Sequence, residues 1–146
     1  MKLTTLVARV SMCALVAATA LAQTPPLVVQ DAWIRAAPGS DVAAAYLSLR
    51  NSTAKPITIT SVYSPVASHS MIHETSVLAG QSRMRPHERL TVPAGQTVKL
   101  EPGGLHVMLQ GLSRPLTVGE KVPLVLALAG GSTVQLTATV RPLNAE

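Results

Sequence analysis

His73, Met84, His106 and Met108 are the residues whose types and spacing could do chemistry. They run as His, ten residues, Met, twenty-one residues, then His-x-Met. Two imidazoles and two thioethers form a borderline-to-soft donor set, better matched to Cu(I) than to zinc, calcium or magnesium. Cu(I) is d¹⁰ and tolerates a distorted tetrahedron, whereas Cu(II) prefers tetragonal nitrogen and oxygen donors, so the set favours the reduced ion. All four donors are neutral and leave the ion its single charge. The sulfur is also concentrated: beyond the first 22 residues the methionines are Met71, Met84 and Met108, in the same window as all four histidines.

The compartment agrees with this choice of ligand. Lys2 and Arg9 precede an apolar run from Val10 to Ala20, and Ala20-Leu21-Ala22 is a small-x-small cleavage site. Residues 1–22 therefore read as a signal peptide, with a mature domain over 23–146. Cys13 lies inside the leader, with the bulky Met12 before it and apolar sequence after it, which argues against a lipidation site. Export leads to an oxidising compartment, where a thiol ligand is exposed to mispairing and a thioether is lost less easily. With Cys13 removed, a blue-copper redox centre, which needs a thiolate, is excluded.

The elements that must position these residues read as strands. Short β-branched runs separated by Pro, Gly, Asn, Asp or Ser cover 27–35, 44–49, 57–63, 70–74, 83–85, 90–92, 97–100, 105–109, 122–128 and 133–140. Val42 to Ala45 is the one alanine-rich piece and reads as a single turn. Pro93-Ala94-Gly95 and Pro102-Gly103-Gly104 carry the Pro-then-Gly order of type II turns, and Ala129-Gly130-Gly131-Ser132 suits a hairpin loop. The expected fold is a single all-β domain, a sandwich or barrel. Strand alternation puts His106 and Met108 on one face as a two-residue claw. A hairpin centred on Leu78-Ala79-Gly80 would set His73 opposite Met84 as a second claw, the two claws meeting face to face. Met71 shares the face of His73 and is expected to shield the metal or replace a ligand.

At these residues the chain resembles the periplasmic copper chaperone family written PCu(A)C, whose hallmark is this same spacing. The resemblance extends over Asp31-Ala32-Trp33-Ile34-Arg35, Ala45 to Asn51, Ile72 to Thr75, Met84-Arg85-Pro86, Val92 to Gly95 and Glu101 to Leu109. Ordinary His and Met frequencies would produce the four-residue pattern by chance on the order of once in 10⁵ chains of this size. The resemblance implies a cupredoxin-like Greek-key β-sandwich or barrel, Cu(I) binding in the periplasm, and delivery of copper toward cytochrome c oxidase. Its expected protein partner is a Sco-type thioredoxin-like chaperone or an oxidase copper subunit. The chain departs from the family in lacking extra methionines at Thr75, Ser82 and Gln110, and in having no His- or Met-rich tail for Cu(II).

Other features read more plainly. His69 is expected at a solvent-facing strand edge, His87 in a loop, and Trp33 and Tyr46 in the core. Asn51-Ser52-Thr53 matches a glycosylation acceptor. The formal charge of +5 is spread along the chain, with Lys2 and Arg9 leaving with the leader. Without a basic face or stacking aromatics it does not suggest nucleic-acid binding. No span for a membrane, nucleophile elbow or catalytic carboxylate pair is visible, so an enzyme is the least expected class. Copper storage or detoxification at the same residues, and a metal-free β-sandwich interaction module, are the competing readings.

Overall fold

The computed structural model describes residues 25–145, and every helix or strand among them is a strand. The expected leader lies outside these residues. The strands are β1 (Leu27–Ala36), β2 (Val42–Asn51), β3 (Ile57–Tyr63), β4 (Ala67–Leu78), β5 (Gln81–Pro86), β6 (Leu90–Val92), β7 (Thr97–Leu100), β8 (Leu105–Leu112), β9 (Lys121–Leu128) and β10 (Thr133–Arg141). Val42 to Ala45 opens β2 rather than forming a turn. Its alanines alternate, Ala43 and Ala45 packing inward, so small size here serves close packing and not a helical turn.

Hydrogen bonding runs in the order β5-β4-β8-β2-β1-β10-β9-β3-β6, with β7 on the second half of β2. The first half of β2 pairs with β8 and the second with β7. All pairs are antiparallel except β1 with β10. Most strands bury one face: Val122, Leu124, Leu126 and Leu128 alternate inward on β9, as do Val107 and Leu109 on β8. These faces meet in one apolar cluster. A ten-stranded sheet can share one core only by folding over, which gives the expected cupredoxin-like sandwich.

A bulge in β1 changes which residues that core receives. Gln30 pairs with Ser48 but Trp33 with Tyr46, so β1 holds one extra residue, and Asp31 takes φ 51° there. Before the bulge Leu27 points inward; after it Ile34 and Ala36 do. Trp33 and Arg35 are thereby turned to the outer face.

Asn51 ends β2 fully buried. Its Nδ2 donates to the carbonyls of Lys55 (2.7 Å) and Val92 (3.0 Å), and its Oδ1 accepts from Thr53 N (2.9 Å) and Oγ1 (2.8 Å). An amide so enclosed is not available as a glycosylation acceptor; it ties the β2 end to β6. Asn51→Ala strands at least one buried carbonyl and is expected to lower stability by about 2–3 kcal/mol. Urea denaturation checks this, and an unchanged midpoint would remove Asn51 from the structural account.

Candidate metal centre

The site is built on three adjacent strands, β5, β4 and β8. His73 lies directly across from His106 and Met71 directly across from Met108 on the β4–β8 ladder. Met84 lies across from Thr75 on β5. Cross-strand partners share a face, and so do residues two apart in a strand. Met71, His73, Met84, His106 and Met108 therefore occupy one face. It is the outer one, because Ile72 and Val107 between them are buried in the core.

Two sequence expectations change here. Met84 is not opposite His73; Pro86 is. The turn is the two-residue Ala79-Gly80, with φ 49° and 75°, the pattern of a type I′ hairpin. The hairpin is centred between Ala79 and Gly80, one residue later than opposition of His73 and Met84 requires, and cross-strand partners move accordingly. Because Thr75 and His73 are two apart, Met84 keeps the correct face but becomes a diagonal neighbour of His73, with Cα atoms about 7–8 Å apart. The second change concerns the claws. They do not meet across the sandwich; they lie side by side on hydrogen-bonded strands. The two imidazoles form the central rung, Met108 stands one rung to one side, and Met84 one rung to the other.

His106 is the fixed member. It is 4% exposed, and its Nδ1 lies 3.1 Å from the Gly104 carbonyl. A carbonyl can only accept, so Nδ1 carries the proton and Nε2 keeps a free lone pair. The same carbonyl accepts the Thr75 amide at 3.0 Å, linking the imidazole to β4. Gly104 is held by a turn whose amide bond to the Glu101 carbonyl is 3.0 Å, with Gly103 at φ 84°, as Pro102-Gly103 predicts for type II.

His73 is half-buried, and its ring meets that of His106 edge-on, centroids 5.9 Å apart at 89°. Its Nδ1 is buried without a hydrogen-bond partner. Desolvation, then the neighbouring His106, hold its pKa below the ordinary imidazole value. Both effects favour a neutral ring with an unused lone pair, which is the form a metal requires. Among the described residues, no three His, Cys, Asp or Glu side chains converge. The sulfur donors that share this face with the two histidines are Met71, Met84 and Met108. Met71 and Met84 are 39% and 50% exposed, so the site opens to solvent on the methionine side.

Trp33 and Tyr46 are buried, as expected, but stand apart from the main apolar cluster. They pack on the outer face with ring centroids 4.6 Å apart, and the Tyr46 ring lies 6.3 Å from that of His106. Arg35 stacks over both rings, and Arg141 over Trp33. The cluster walls His106 off from water. The sequence held a signal for this: Trp33 precedes Ile34, and Tyr46 sits between Ala45 and Leu47. Adjacent strand residues cannot face the same core. His69, opposite Gln110, is exposed on the ligand face one rung beyond Met71. His87 stands 3.9 Å from Glu74, which points away from the ligand face, so the structure does not bring His87 to the site.

Residues 27–140 match the family model "Putative lipoprotein LpqE-like". "Putative lipoprotein Lxx21020" of Leifsonia xyli subsp. xyli is 34% identical over 131 residues, spanning 86% of this chain and 78% of that protein. The solution structure of CuI-DR1885 from Deinococcus radiodurans is 38% identical, with a TM-score of 0.65 over 86% of this chain and 84% of its own. The copper-bound PCuAC domain from PmoF2 is 23% identical, with a TM-score of 0.68 over 82% of this chain and 96% of its own, a likeness of fold. This chain belongs to the LpqE-like family and has the PCuAC-type fold.

Proposed function

We propose that this protein is an exported Cu(I) carrier, binding one ion per chain through His73, Met84, His106 and Met108. The register of β4, β8 and β5 is the observation that carries this reading. It sets two imidazoles on one rung and a thioether one rung to either side, on a face open to solvent. Support also comes from two similar structures, one a Cu(I) form and one copper-bound. The donors lie on one open face rather than in a closed cage, which suits hand-over by ligand exchange. Thioethers are neutral and labile, so one can leave as an acceptor's ligand arrives.

Residues 1–22 would act as the export signal and leave a periplasmic domain over 23–146. The family resemblance implies delivery toward cytochrome c oxidase, through a Sco-type chaperone or directly to an oxidase copper subunit. Storage with no dedicated target uses the same site. Transfer assays with a copper-free oxidase subunit or a Sco-type partner separate carriage from storage, and failure to pass copper to either would favour storage.

Met108→Leu and Met84→Leu conserve volume and are expected to cost the fold less than about 1.5 kcal/mol. Combined, they should weaken Cu(I) binding by more than about a hundredfold, beyond the range typical of outer-shell changes. Competition titration against a Cu(I) chelator measures this, and unchanged affinity in the double variant would sink the ligand assignment.

The metal-free protein should also respond to pH through His73. Its folded pKa lies below the unfolded value, so the unfolded state binds more protons as pH falls through the ordinary imidazole range. The stability associated with neutral His73 is fully present above that range and is lost progressively below it. His73→Gln removes the ionisation and should flatten the fall in urea midpoint between about pH 7 and pH 5. Identical slopes in both proteins would show that His73 does not titrate in this way.

A further inference from the structure

Met71 lies outside the four-residue pattern, yet its position is that of a ligand. It faces Met108 directly across the β4–β8 ladder and shares its face with His73 two residues along β4. Met84 is less well placed relative to the other strand. It sits on β5, two strands from His106 and Met108, or about 9–10 Å away in the hydrogen-bonding direction alone. Met71 is only one strand from both. The two methionines also differ in how firmly they are held. Met71 is on β4, paired there with the central strand β8, while β5 joins β4 only from His73 onward. Met84 is on an edge strand whose six residues are all exposed. That strand is joined to β4 through a turn with Ala79 at φ 49°, a conformation uncommon for alanine.

We propose that Met71 is a third sulfur donor, which takes the copper position of Met84 when the edge strand yields its side of the ion to an acceptor. The inference rests on the carrier reading above. In the exchange the Cu(I)–S bond to Met84 breaks as the Cu(I)–S bond to Met71 forms. Copper stays Cu(I), no proton moves, and the ion keeps two imidazoles and two thioethers. The inner donors His73, His106 and Met108 hold the ion throughout, while the 50% exposed Met84 leaves the metal and clears the solvent side of the site for an acceptor. The 39% exposure of Met71 leaves its thioether free of core packing and able to move to the metal.

X-ray absorption on the Cu(I)-loaded mature chain, with chelator competition, tests this in wild type, Met84→Leu, and Met71→Leu/Met84→Leu. Met84→Leu is expected to retain two sulfur neighbours and to lose less than about tenfold in affinity. The double variant should fall to one sulfur and lose at least about tenfold more. Met84→Leu already reduced to one sulfur, or a double variant no weaker than that single, would overturn the role of Met71 and leave the carrier reading intact. A wild-type protein that binds no Cu(I), or binds it without sulfur, would overturn both. Thermal unfolding of the metal-free variants identifies any affinity loss that comes from the fold, and the sulfur count of correctly folded protein then decides.

Discussion

The hydrogen-bond ladder between β4 and β8 is the constraint on which the rest of this site depends. It pairs Ile72 with Val107 and His73 with His106, and the two pairs point to opposite faces. Burying an Ile or Val side chain stabilises by about 1.5–3 kcal/mol. A slip of one residue on β8 would expose Val107 and drive imidazole and thioether groups into the apolar interior, where an unpaired polar group costs a further few kcal/mol. The core therefore fixes the face on which the ligand residues stand. The packing that holds the sandwich together also aligns the two histidines.

Around this rung the structure grades from fixed to loose. His106 is walled by Tyr46 and Trp33 and tied through Nδ1 to the Gly104 carbonyl. His73 is half-buried, and Met84 stands on an edge strand in solvent. Burial on the histidine side favours neutral His73, because desolvation disfavours the charged form. Openness on the methionine side leaves a route for a partner's ligand. A site enclosed on all sides would hold an ion well and release it slowly. The gradient suits the proposed carrier better than a permanent store.

Much of the strand pattern was legible because strand periodicity and turn chemistry are local properties. Alternation in Val122 to Leu128, and Pro-then-Gly at Pro102-Gly103, act over a few residues and need no partner. Errors arose where a choice depended on a neighbour. Val42 to Ala45 looked like a turn because alanine has little strand preference, but Ala43 and Ala45 fill tight inner positions against the core. Trp33 and Tyr46 are buried, as their size suggests, but in an aromatic cluster apart from the main core. A one-residue bulge at Asp31 sets the phase of β1 and turns Trp33 outward.

The sequence by itself determined the candidate donor set: two imidazoles, two thioethers and, on the expected mature chain, no thiol. It also determined that His106 and Met108 share a face, since strand alternation has a period of two. Only the tertiary structure decided that His73 faces His106, that Met84 is displaced to the Thr75 rung, and that Met71 belongs beside Met108. Those pairings follow from the type I′ geometry of Ala79-Gly80 and from which strand lies next to β4. Neither is encoded in the spacing of the ligands, because register is a relation between strands and becomes fixed only when their buried faces pack into one core.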